Sequence, residues 1–382
     1  MRYLLLLIVV LAGCAPFPPK TVCPQCPPPK PVPETVRYQD ASFDALPGWT
    51  AAALEPSLRA FLAGCPRPGA LARACELARA VPANDELAAR QFFESSFIPY
   101  ALISSESGDG GVITGYYEPV IDGSRTRSAL NRYPIFGVPD DLIVVDLAAA
   151  NPDVRNMRLR GRLEGRRLIP YYSRAEIDSK GNGFAAPVLA WTVDPVELFF
   201  MQIQGSGQLR LESGERVRLG FADQNGHPFR SLGRYLVERG EMKLEEASMQ
   251  SIKAWAAANP ARLQEALNQN PSYVFFRELP ASGDGPVGAL GTPLSPEYSI
   301  AVDRRFVPLG APVYLATTFP LSDEPLERLV AAHDTGGAIR GAVRADFYWG
   351  SGADAGTRAG RMRQQGRMWL LWPRGEVLPR GD

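Results

Sequence analysis

Arg328-Leu329-Val330-Ala331-Ala332-His333-Asp334-Thr335-Gly336-Gly337-Ala338-Ile339-Arg340-Gly341, followed by Val343-Arg344-Ala345-Asp346-Phe347-Tyr348-Trp349-Gly350, carries two carboxylates twelve positions apart. Each closes a short apolar, strand-like run, and a glycine-rich turn lies between them. Aromatic residues follow the second acid at once. This pattern predicts two neighbouring strands that bring acid groups and sugar-sized aromatic surface into one small site.

Outward from that segment the same texture continues. Strands are expected at Tyr298 to Val302, Val313 to Ala316, Arg328 to Ala332, Val343 to Phe347 and Met368 to Leu371. The turns carry Pro308-Leu309-Gly310 and Gly336-Gly337, which suits a compact barrel better than an open parallel sheet. Upstream, short strands are expected from Val112 through Leu219, including Val188 to Val193 and Leu198 to Gln204. Helical periodicity marks Ser57 to Ala63, Ala70 to Ala80, Asn84 to Phe97 and parts of Phe229 to Ala266, where Ser248 can cap a helix.

The chain has 382 residues, 45% of them hydrophobic, enough for a packed core and for more than one domain. Lys and Arg number 41, as do Asp and Glu, so no global field favours nucleic acid. Two histidines, His227 and His333, give little material for a histidine-rich metal site or a Ser-His-Asp triad. Catalysis is therefore expected to rest on carboxylates, with no metal and no cofactor.

The N-terminus, Met1-Arg2-Tyr3 and then Leu4 to Ala12, has the basic start and short apolar stretch of a signal peptide. Leu11-Ala12-Gly13-Cys14 resembles the bacterial lipoprotein signal, with Cys14 as the lipidated residue. Residues 15–36 are rich in proline and read as an extended tether. Cys23 and Cys26 lack a second ligand pair at zinc spacing. Cys65 and Cys75 are candidates for a disulfide, with free thiols the alternative.

A general acid working near neutral pH must keep its proton, which burial among apolar groups favours. Asp346 has that setting, between Val343, Ala345 and Phe347-Tyr348-Trp349. Asp334 is expected to be held ionised by donors from Thr335, Gly336 and Gly337, or to serve as a turn residue. Asp303, at the end of another apolar run, is the third candidate acid.

Six ordered segments resemble the membrane-bound lytic murein transglycosylase A family. They are Thr114-Gly115-Tyr116-Tyr117-Glu118-Pro119, Tyr172 to Ile177, Met201 to Gly207, Asn225 to Gly233, Asn270 to Phe276, and the three-aspartate set around Asp303, Asp334 and Asp346. The resemblance implies a mainly β protein with helices, in two domains. Residues 37–118 and 279–382 would form a double-psi β-barrel domain carrying the N-terminal helices, and residues 119–278 an inserted smaller β-barrel domain across a glycan groove.

The same likeness implies cleavage of the β-1,4 bond between N-acetylmuramic acid and N-acetylglucosamine, leaving 1,6-anhydromuramic ends. Asp346 would be the acid and then the base, supported by Asp334 and Asp303. Thr114, Gly115, Tyr116, Tyr117, Gln204, Gly205, Ser206 and Gly207 are the expected sugar contacts. Glycan strands are the expected partner, together with the membrane through the lipid anchor, and cell-wall synthesis or division proteins fit the same setting. The location implied is the outer membrane of a Gram-negative bacterium, facing the periplasm. Two other readings compete: a noncatalytic peptidoglycan-binding lipoprotein, and a dimeric aspartic protease built on Asp334-Thr335-Gly336.

Overall fold

A computed structural model describes residues 33–65, 69–147, 158–280 and 285–380. Cys14, Cys23, Cys26 and residues 15–32 of the tether lie outside the described residues. Strand β1 (Val36–Asp40) precedes three helices, α1 (Glu55–Ala63), α2 (Ala72–Arg79) and α3 (Glu86–Ser96), and then β2 (Phe97–Ser104) and β3 (Gly111–Glu118). The cap of α3 is Asp85, whose side chain accepts from the Ala88 N–H, one residue beyond the expected Asn84. Asn84 instead takes the left-handed turn before it, with φ 59°.

Between residues 120 and 279 run β4 (Val120–Ser124), β5 (Tyr133–Phe136), β6 (Ile143–Asp146), β7 (Arg158–Glu164) and β8 (Arg167–Pro170). They are followed by α4 (Arg174–Lys180), β9 (Val188–Thr192), α5 (Pro195–Gln204), β10 (Ser206–Leu211), β11 (Arg216–Gln224), α6 (Leu232–Glu238), α7 (Met249–Ala258), α8 (Leu263–Leu267) and β12 (Val274–Leu279). The chain ends with β13 (Ser299–Val302), β14 (Pro312–Thr318), β15 (Pro325–Asp334), β16 (Arg344–Ser351), α9 (Gly352–Ala359) and β17 (Arg363–Pro373). The fold is mainly β with helices.

One expected strand is a helix. The run Leu198 to Gln204 is apolar enough to pass for a buried strand, but Asp194 caps it by accepting from Val196 and Glu197, and Pro195 opens its first turn. Gly205 closes it in the left-handed region at φ 79°. Start and stop signals ten residues apart outweigh the β-like composition. Ser248 does cap α7, in a reciprocal box with Ser251.

Eight strands share one sheet in the order β1-β2-β17-β14-β15-β13-β16-β3, and β17 also pairs with β3. That last pairing closes the strands from β17 through β3 into a ring. A second sheet runs β12-β11-β10-β4-β9-β5, and a third β6-β7-β8. Inside the ring pack Ile113, Val302, Val313, Val330, Phe347 and Leu370, all nearly inaccessible. Helices α1 to α3 cover the outside of β14, β15 and β17 through a cluster of Phe61, Phe92, Phe93 and Phe97. Cys65 and Cys75 are disulfide-bonded there, with Cα atoms 5.5 Å apart.

Candidate active site

Strands β15, β13, β16 and β3 lie side by side, and their register assembles the acids. Ala301 in β13 stands opposite Asp334 on one side and Asp346 on the other. Asp346 in turn lies opposite Thr114 of the parallel strand β3. Thr114 Oγ1 donates to Asp346 Oδ1 at 2.6 Å, and Arg344 Nη2 donates into the same threonine oxygen at 2.9 Å. The arginine thereby commits the hydroxyl proton to the carboxylate. Burial pushes the Asp346 carboxyl up to about 6, against the Thr114 hydrogen bond and the Arg344 charge, with a further upward push from Asp334.

Asp334, at the end of β15, accepts from the backbone N–H of Ala289 at 2.8 Å and of Thr335 at 2.9 Å on Oδ1. The Tyr116 hydroxyl donates to its Oδ2 at 3.2 Å. Burial nevertheless holds this carboxyl above its ordinary value, outweighing those donors. The donor set expected from Thr335, Gly336 and Gly337 is corrected: Ala289 and Tyr116 take the place of the two glycines. Only the Thr335 amide of that turn reaches the carboxylate, and desolvation exceeds what three donors return.

Asp303 is 2% exposed and does not hydrogen-bond to either of the other two acids. Burial pushes its carboxyl up, but Arg305 Nη2 at 2.6 Å and the Gly341 N–H at 3.1 Å outweigh it, and the net direction is down. It pins the loop leading into β16 to the turn after β13. Asp303 thus supports the strand that carries Asp346 from a distance.

The expected sugar contacts divide by the face of β3 they occupy. Thr114 and Tyr116 point to the acids, and the Tyr116 ring lies 5.2 Å from that of Tyr348. Tyr117 is 5% exposed, packs in the barrel core and aims its hydroxyl at Met249 Sδ, so its ring is a packing element rather than a sugar platform. Gly115 is also explained by packing, since a Cβ there would stand 2.6 Å from Trp349 Nε1 and 2.9 Å from Ala359 Cα. Gly207 would similarly press on Met201 Sδ. Gln204 Oε1 accepts from the Tyr117 N–H at 3.1 Å, which ties the end of α5 to β3 beside the half-buried Gly205 and Ser206.

Two polar residues at the site had no assigned role in the sequence. Arg344 shares a strand face with Asp346 by the two-residue period, and that spacing was the available signal. Glu118, 1% exposed, accepts on Oε2 from Gln208 and from Ser351, each at 2.7 Å, and so links β3, β10 and the end of β16. Among the described residues no three His, Cys, Asp or Glu side chains are grouped to hold a metal ion.

Comparison with known proteins places this geometry. The family model of the MltA specific insert domain matches residues 112–277, and that of the 3D domain matches residues 298–372. Membrane-bound lytic murein transglycosylase A of Escherichia coli K12 is 36% identical over 267 residues, covering 68% of this chain and 64% of that protein's length. The crystal structure of MltA from Neisseria gonorrhoeae, monoclinic form, superposes with a TM-score of 0.80 at 42% identity, covering 91% of this chain and 95% of that one. A crystal structure of E. coli MltA with bound chitohexaose is 27% identical, with a TM-score of 0.66 over 91% of this chain and 95% of that one. Two successive domain matches and a shared fold over nine tenths of its length make the chain a member of the membrane-bound lytic murein transglycosylase A family.

Proposed function

We propose that this protein is a peptidoglycan lytic transglycosylase, in which Asp346 protonates the glycosidic oxygen between N-acetylmuramic acid and N-acetylglucosamine and then takes the proton of the attacking hydroxyl. The observation that carries this reading is the Asp346 carboxyl, buried in a wall of apolar strands that pushes its pKa up to about 6, with Thr114 fixing one oxygen. As the C1–O4 bond breaks, the departing oxygen receives the Asp346 proton. The C6 hydroxyl of the same muramic residue closes on C1 and gives its own proton to the carboxylate. The side chain is restored and no water is consumed.

An internal nucleophile makes a single acid/base sufficient, in contrast to hydrolases that position two carboxylates around a water or a covalent intermediate. Asp334 opposes ionisation of Asp346 by its charge and is oriented by Tyr116. Thr114, Tyr116, Gln204, Gly205 and Ser206 form the wall along which a glycan strand would lie, and the chitohexaose bound by the E. coli relative supports a β-linked aminosugar chain there.

The finer architecture belongs to the same proposal. The strand ring, with its parallel pairs β13–β15 and β16–β3, supports a double-psi barrel formed by residues 37–118 and 279–382. The second and third sheets support an inserted domain at 119–278. Among the described residues no helix is long and apolar enough to cross a membrane. The membrane-bound relatives, together with the Cys14 signal, support attachment by a lipid to the outer membrane, facing the periplasm.

Mass analysis of products from purified peptidoglycan tests the reaction. Anhydro ends, lighter than reducing ends by one water, are the expected result. Reducing ends would mark a hydrolase, and an intact polymer a binding protein.

A further inference from the structure

A concavity of about 340 Å3 lies between α4, β5, the start of α5 and α8. That volume is in the range of small-ligand sites. Helix α5 separates it from the acids: Pro195 and Leu198 of its first turns line the cavity, whereas Gln204 at its far end bonds to β3. Ten helical residues span about 15 Å.

Arg174 forms the floor. It is 4% exposed, and its guanidinium carbon lies 4.9 Å from the ring centroids of both Phe199 and Tyr273. Nε donates to the Asn270 carbonyl at 3.1 Å and Nη2 to the Ser272 carbonyl at 2.8 Å. Nη1 has no acceptor among the described residues, yet it is not sealed from the cavity that the residue lines. A buried cation with N–H groups left over is costly unless something meets them.

The rim adds Arg127 and Arg132, both exposed, which lie over the Trp191 and Tyr133 rings and make no ion pair among the described residues. Against these three guanidinium groups the cavity holds one carboxylate, Asp178, with Oδ2 accepting from Gln264 at 2.8 Å. The balance calls for an anion. Asp178 beside Arg174 disfavours a doubly charged phosphate, whereas a planar carboxylate suits the arginine fork. Asp178 and Asn182 offer acceptors to ligand N–H groups, and Ile177 and Phe136 give an apolar wall.

We propose that this cavity binds a short peptide by its free carboxylate, held by Arg174 at the floor and drawn in by Arg127 and Arg132. The proposal stands apart from glycan cleavage, because it concerns binding at the opposite end of α5.

Calorimetry on the full chain tests it with acetyl-alanyl-alanine, the same dipeptide amidated at its C-terminus, and inorganic phosphate. The free acid is expected to bind and the amide to bind at least about tenfold more weakly. Arg132→Glu is expected to weaken the acid by about tenfold, and Arg174→Gln to abolish its binding. Because Arg174 also braces residues 270–272, the exposed Arg132→Glu keeps the test decisive if Arg174→Gln does not fold. No binding at about 10 mM dipeptide, equal affinity for acid and amide, unchanged binding by Arg132→Glu, or tighter binding of phosphate each overturns the proposal. Asp346→Asn leaves the heats unaltered, so failure of the cleavage mechanism would not be mistaken for failure of this site.

Discussion

Replacing Thr114 by valine keeps the shape of the side chain and removes the one hydroxyl that donates to Asp346. In the parent that bond is 2.6 Å long, and Arg344 leaves the threonine proton no other destination. A hydrogen bond to a charged acceptor contributes about 1.5–3 kcal/mol, equivalent to about one to two pH units of pKa. Arg344 remains to favour the charged form, so the lower end applies. The Asp346 carboxyl, already at about 6, is predicted to rise by about one pH unit. Since the protonated form performs the first step, activity falls as pH rises through this pKa, and the variant's alkaline limb moves upward. The assay is kcat/KM for release of anhydro product from purified glycan strands across pH, with Thr114→Ser returning the limb to the parent position. A limb that stays in place, or moves to lower pH, refutes the link between this hydroxyl and the acid.

Asp346 also carries a stability signature. Its folded pKa is raised to about 6, so the folded state binds more protons than the unfolded state between about 4 and 6, and stability declines as pH rises through that window. Asp346→Asn removes the ionisation and should be more stable than the parent by about 1–3 kcal/mol at pH 8, with the gap closing at pH 4, in urea unfolding. Replacing Cys65 and Cys75 by serine releases a ten-residue closure and should cost about 2–3 kcal/mol in the same assay. Gly115→Ala drives a methyl against Trp349 and α9, and a loss of about 1–3 kcal/mol in thermal unfolding is expected.

Strands β13 to β16 were legible because each is built around an apolar run between strong turn residues, whereas of β17 only the apolar half, Met368 to Leu371, was legible and the polar half that pairs with β3 was not. Strand β7 was not, because Arg158, Arg160 and Arg162 alternate along it and no apolar run exists. Its stability comes from context, with Arg160 paired to Asp223 and Arg162 lying 4.4 Å over the Tyr172 ring. Helix α9 was hidden for a different reason: Gly-Ala-Asp-Ala-Gly has poor helix propensity, yet small residues are what let it approach β3, where a Cβ at Gly356 would stand 2.8 Å from the Tyr117 ring.

At the site, Asp334 and Asp346 could be read from their flanking runs, but their environment could not, because burial sums over strands remote in sequence. The division of Thr114 and Tyr116 from Gly115 and Tyr117 was available from the two-residue strand period. The same period would have matched Arg344 with Asp346. Asp303 was legible as a buried acid, but its pairing with Arg305 and Gly341, rather than with the other two aspartates, depends on how the loop before β16 folds back.

The proton carried by Asp346 is tested most directly by turnover of purified glycan strands by Asp346→Asn, with binding to the same strands followed in parallel. Retained binding with release of anhydro ends lowered at least about 100-fold is the predicted result. Cleavage at the parent rate, with the variant folded and bound, would contradict the account.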